Sequence, residues 1–187
     1  MSNFHLTLMH REALRRLEDA QMLAGRGDSA HLLSLLGLEL LLKLVHEVSA
    51  GKKTPHGHKY HLIFRDLPAN TQTEILERAG NRIGPSALNT AAADIFKEWG
   101  TNFISLRYPY ERYEGLTEEE YHQLGDDWVA SGAPVEEAFF RYFPQELFGI
   151  VDALKNMANE MANNSFQRTP TDAAELQSQQ VPASVTG

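Results

Sequence analysis

Residues 51–68, GKKTPHGHKYHLIFRDLP, crowd three histidines, three lysines and an arginine into one short stretch of an acidic chain. Neutral imidazoles bind zinc, nickel and copper, so His56, His58 and His61 could reach one metal if the loop curled. No HExxH pattern accompanies them and no strict carboxylate partner lies nearby, so no metal site and no cofactor are expected. Anion binding suits the residue types better. Lys52, Lys53, Lys59 and Arg65 form a local positive patch, and a short helix starting near His58 would add free amides that favour phosphate. The plain alternative is a solvated basic turn.

A second group lies upstream. Glu39, Lys43 and His46 are spaced by four and three, which places them on one face of a very apolar helical segment. Charge there is costly unless paired or wet. The stripe is either the solvent side of that helix, with Glu39 and Lys43 as an exposed pair, or the lining of a polar cleft. Its natural partner is SLRYPYER, where Arg107, Tyr108 and Glu111 mix both signs of charge with aromatics. Arginine suits a partly buried carboxylate because its fork is bidentate and weakly hydrated, so an Arg107–Glu39 pair is one expectation. His58, Arg107 and Glu111 are the candidates for acid–base or phosphate chemistry.

The elements that must position these residues read as helices. Leu6, Met9, Ala13 and Leu17 fall at helical spacing, with Gly25 and Gly27 closing that helix and Asp28 or Ser29 capping the next. The segment from Ser29 to Ser49 carries leucines all round, the mark of a central helix, and Gly51 ends it. A short apolar piece, Leu62-Ile63-Phe64, precedes a modest helix over 70–82. Gly84-Pro85 breaks the chain before a helix with Leu88, Ala92, Ile95, Trp99 and Phe103 on one face, which stops before Pro109. Residues 117–129 form an acidic surface helix. The last long helix starts near Pro134, with Pro144 kinking or restarting it. Nothing alternates with period two, so the fold class is an all-α bundle, one domain over 1–163 with a polar, mobile tail over 164–187.

The 187 residues suffice for one domain with a hydrophobic core. A formal charge of −8 argues against a broad nucleic-acid-binding surface, so any such contact must use a local patch. The lack of cysteine excludes disulfides and thiol chemistry. The N-terminal residues do not read as a signal peptide, and LLSLLGLELLLKLV is too short and too charged to span a bilayer, so a cytoplasmic protein with no membrane partner is expected.

LLSLLGLELLLKLVHEVSAGKKTPHGHKYHLIFRDLP, followed by FISLRYPYE, resembles the HEPN superfamily of nucleotide-binding and ribonuclease-associated helical domains. The shared elements are a Glu-x-x-x-Lys helix (Glu39, Lys43), a turn with Gly57, His58 and Lys59, and a short helix with Phe64 and Leu67. The resemblance covers roughly residues 8–160. It implies a HEPN-like bundle, dimeric, serving stress response or defence. It also implies an Arg-x(4–6)-His ribonuclease motif near the start of a late helix. Here that spacing occurs only at Arg26…His31, in the first interhelical turn, where Gly27 and Asp28 are explained by capping. The expected function is therefore a homodimeric module binding RNA, a nucleotide or another phosphate-bearing ligand. The alternatives are a diverged metal-independent ribonuclease and a non-catalytic protein-interaction domain.

Overall fold

The computed structural model describes residues 3–23, 27–54, 57–134 and 138–167. Among them are seven α-helices and no strand: α1 Asn3–Met22, α2 Asp28–Ser49, α3 Tyr60–Arg65, α4 Ala69–Ile83, α5 Leu88–Ser105, α6 Glu118–Ala130 and α7 Pro144–Gln167. A 3-10 turn, Pro109–Tyr113, follows α5. The fold is an all-α bundle. No helix is long and apolar enough to cross a membrane among the described residues.

The leucine-rich helix is central, as its pattern requires. Leu35, Leu38, Leu41, Leu42 and Val45 of α2 are fully buried. One face of α2 takes α1, another takes α7, and α3 and α5 close the remaining side. The α1–α2 crossing is tight because Gly37 lacks a side chain: a Cβ there would stand 2.7 Å from Leu17 Cδ2. The opposite half is built by α4 against α7, with Ile75, Ala79, Ile150 and Leu154 inside. Phe96 and Trp99 of α5 fill the space between α3 and the core, with Phe96 stacked on Phe64 at 4.5 Å.

Three local expectations are corrected. Neither Asp28 nor Ser29 caps α2: Gly27 holds the N-cap position at φ 63°, and Asp28 is the first helical residue, its carboxylate receiving the Tyr142 hydroxyl at 2.6 Å. Gly25 lies outside the described residues. The last helix begins at Pro144 rather than near Pro134. Proline suits a first helical position because its missing amide hydrogen has no partner there anyway. Residues 138–143 run as irregular chain tied to α5, through Trp99 Nε1–H to the Tyr142 carbonyl (3.0 Å) and Asn102 Nδ2–H to the Arg141 carbonyl (2.9 Å). At its far end α7 continues to Gln167, past the expected boundary at 163, and residues 168–187 of the tail lie outside the described residues.

The acidic helix is present and buries no residue. It is held locally by a capping box: the Thr117 hydroxyl accepts from the Glu120 amide, and the Glu120 carboxylate accepts from the Thr117 amide at 2.7 Å.

Candidate functional site

The polar stripe of α2 divides into two networks. In the first, Glu39 is only 4 % exposed. Its Oε1 receives Lys43 Nζ at 2.6 Å and its Oε2 receives His58 Nδ1 at 2.7 Å. The pair is inside the protein, so the solvent-side reading of the stripe fails. A carboxylate only accepts, which puts the His58 proton on Nδ1 and leaves Nε2 as the second functional atom of the ring. Nε2 has no protein hydrogen bond among the described residues, and the side chain is one-third exposed.

Two neighbours fix this imidazole. The Phe103 ring lies 4.6 Å from it. Gly100, one turn earlier on α5, lets the loop backbone come in: a Cβ at Gly100 would stand 2.6 Å from the His58 carbonyl oxygen. Tyr60 then turns into the core, its hydroxyl donating to the Leu35 carbonyl at 3.2 Å. Burial and the nearby Glu39 carboxylate both push the Tyr60 phenol upward, so it stays neutral.

Arg107 reaches the same place by another route. Its guanidinium lies 5.1 Å from the centre of the Phe103 ring, the ring that also touches His58. It forms no ion pair with Glu39, because that carboxylate is already shared by Lys43 and His58. The expected Arg107–Glu39 pair is thus replaced by a cation on an aromatic face.

The second network is a latch. His46 is fully buried, and its hydrogen bonds go to neither Glu39 nor His58. Its Nε2 donates to Asp66 at 2.9 Å, and its Nδ1 lies 3.1 Å from the Thr54 hydroxyl. The Thr54 amide donates to buried Glu47 at 3.1 Å. Lys52 also bonds Asp66, at 2.8 Å. Asp66 is exposed, and the hydrogen bonds from Lys52 and then His46 hold its carboxyl below the usual range. Lys52 thus joins this latch through an exposed ion pair.

What remains of the positive patch lies further along. Lys59, Arg65 and Lys97 are exposed and form no ion pair among the described residues. Their field is visible at His61, whose pKa is lowered by desolvation and then by Lys97, Arg65 and Lys59. Lys53 is exposed in the loop. The amide-based anion site is not formed: α3 begins at Tyr60 and has only six residues, the Tyr60 amide donates to the His58 carbonyl, and those of Leu62 and Ile63 donate to Lys59.

Glu111 is exposed in the 3-10 turn, with no hydrogen bond or ion pair to His58 or Arg107 among the described residues. Tyr108 is half exposed and meets Tyr110 edge-on at 6.3 Å. His56 lies outside the described residues, and among those described no three His, Asp or Glu side chains gather in a metal-holding arrangement. Arg26 also lies outside them; His31 is partly buried with its ring edge-on to Tyr142 at 4.7 Å.

Sequence reading missed Lys97, Gly100, Phe103 as a shared ring, and the Thr54–Glu47 bond. Only Gly100 left a signal, as a glycine inside a strong helical pattern. No family model, curated protein or solved structure matches the chain.

Proposed function

We propose that the edge formed by His58, Arg107, Lys59 and Lys97 binds a phosphate-bearing ligand, RNA or a nucleotide, in a HEPN-like domain acting as a homodimer. The observation that supports it most is the buried Glu39 carboxylate, which holds His58 by Nδ1 beside a ring that also carries Arg107. Protonated, His58 Nε2 donates to a phosphate oxygen; Arg107 supplies a fork that matches two such oxygens. Lys59, Arg65 and Lys97 add charge around it without a protein counter-ion among the described residues. Tyr108 and Tyr110, exposed beside Arg107, offer faces on which bases stack.

The same geometry favours one second reading, a diverged metal-independent ribonuclease. Neutral, His58 Nε2 presents a lone pair held in place by a buried carboxylate, which is what a general base acting on a ribose 2′-hydroxyl requires. Arg107 would then meet the phosphate.

Incubation with labelled single-stranded RNA at several salt concentrations separates the readings. Salt-sensitive binding without cleavage supports the module, and cleavage lost in His58→Ala supports the ribonuclease. Absence of both binding and cleavage points to a protein-interaction domain. In the binding case His58→Ala and Arg107→Ala each weaken affinity about tenfold, the worth of one charge-assisted contact, and weaken binding more than they lower the melting temperature; His58→Ala also costs some stability because it leaves buried Glu39 with one partner fewer. Loss of stability with unchanged binding would make the cluster scaffold. Light scattering tests the dimer.

A further inference from the structure

The strongest unassigned feature lies on the other side of Tyr113, between α6 and the irregular chain before α7. A cleft of about 770 Å³ there is walled by Tyr113, Tyr121, Trp128, Phe139, Phe140 and Tyr142. Besides the wall tyrosines, its ionisable lining among the described residues is Asp127 and His122. A second cleft of about 600 Å³ adjoins it, sharing Tyr113, Tyr121, Phe140 and Tyr142, and adds Asp28 and Glu118. Among the described residues neither is lined by lysine or arginine. We propose that this aromatic-walled, acid-rimmed cleft binds a small organic cation of the quaternary or methylated ammonium class.

Ring faces carry negative quadrupole density and attract cations without hydrogen bonds, so they suit an ammonium whose protons are replaced by methyl groups. The carboxylates add the long-range attraction that an apolar ligand would not need. The cluster already shows this preference: the Arg112 guanidinium lies 4.9 Å from the centre of the Phe140 ring, while its Nη1 donates to the Phe139 carbonyl at 2.8 Å. Arg112 is one positive group beside the walls, and Asp28, Glu118 and Asp127 outnumber it.

The walls are also held in place before any ligand arrives. The Trp128 indole donates to the Pro134 carbonyl at 3.0 Å, Tyr142 donates to Asp28 at 2.6 Å, and Tyr113 meets Tyr121 edge-on at 5.0 Å. Such preorganisation lowers the ordering cost of binding. Because α6 buries no residue in the bundle, its aromatic face belongs to this cleft rather than to the core.

The test titrates the full chain with choline and with 3,3-dimethylbutanol, the uncharged carbon isostere, following tryptophan fluorescence and heat. Trp128 is 37 % exposed at the cleft while Trp99 is fully buried, so a saturable fluorescence change reports on the cleft. Choline is expected to bind with a Kd of about 1 mM or tighter, and the isostere about tenfold more weakly, the ratio of one cation–π contact in a partly desolvated site. Tyr121 is half exposed, so Tyr121→Ser keeps the fold, checked by circular dichroism, and weakens choline at least tenfold; Tyr121→Phe keeps the ring and the binding. Equal affinity for both probes, no saturable binding, or binding untouched by Tyr121→Ser each overturns the proposal. So does a concentration-dependent dimer that Tyr121→Ser dissociates, since a second copy would then fill the cleft.

Discussion

Glu39 shows how little a charged residue's sequence position reveals until its partners are known. Its spacing from Lys43 is the same as that of Glu12 from Arg16, yet the Glu12 pairs are exposed while Glu39 is buried and bonded twice. An exposed pair contributes less than about 1 kcal/mol, whereas removing one member of a buried set strands the others. Glu39→Ala should therefore cost about 2–4 kcal/mol in denaturant unfolding, and Glu12→Ala almost nothing. A second residue-scale effect concerns His31. Burial lowers its pKa from 6.5 to about 4, against the opposing pull of Asp28, and its Nε2 has no hydrogen-bond partner among the described residues. Between pH 6.5 and 4 the unfolded chain binds a proton there that the folded chain refuses, so stability falls as pH falls through that window. The loss is on the order of 2 kcal/mol after allowance for partial exposure. His31→Leu should flatten the fall in melting temperature over that range, and a slope equal to the parent's would show that other groups set it. Asp66 acts in the same direction at lower pH, because a carboxyl held below its usual range loses its contribution once it is protonated.

Helices and their faces were legible because the apolar period repeats over many residues: α2, α4 and α5 lie where their leucine, isoleucine and aromatic positions place them. The His58–Glu39 contact was also within reach, since Gly57 and the anchors Leu62 and Phe64 constrain where the turn can go. What could not be read is which charges meet across elements. Asp66 takes both His46 and Lys52, and Phe103 rather than Glu39 receives Arg107, because those choices depend on helix rotation and loop path. The start of α7 was misplaced because Pro144 is permissive at a first turn and prohibitive inside one. Gly100 is where element packing controls the site. A methyl group there meets a backbone oxygen at 2.6 Å, and backbone cannot swing aside as a side chain can. Gly100→Ala should gain a little helix propensity and lose more to strain, a net cost of about 1–3 kcal/mol. Hydrogen exchange should show the loop around His58 opening first. By contrast Thr117→Ala, which removes the α6 cap, should cost about 1 kcal/mol locally, raising exchange in α6 while leaving the global melting temperature unchanged.

At the scale of the whole molecule, an acidic chain that binds a polyanion must do so against its own field. The net charge is −8, and many carboxylates lie on α6 and the rim of the aromatic cleft. Among the described residues the cations of the proposed edge with no ion pair are Lys59, Arg65, Lys97 and Arg107, with Lys53 exposed in the loop before His58. Each phosphate neutralised releases condensed counter-ions, and for a single strand the slope of log affinity against log salt is about −0.7 per phosphate. Four such contacts give a slope near −3 by that relation, far shallower than for proteins with broad basic surfaces. Lys52 should contribute nothing to it, because Asp66 already holds its charge. Measured with labelled single-stranded RNA between about 50 and 200 mM salt, the parent should show that shallow slope. Arg107→Ala should reduce its magnitude by about 0.7 units, while Lys52→Ala leaves it unchanged. A slope twice as steep would require cations that this edge does not have and would move the ligand elsewhere. A slope insensitive to Arg107 would remove Arg107 from the phosphate contact. The comparison of Arg107 with Lys52 decides the matter, since both are exposed cations but Lys52 is paired with Asp66 while Arg107 lies on the Phe103 ring beside His58.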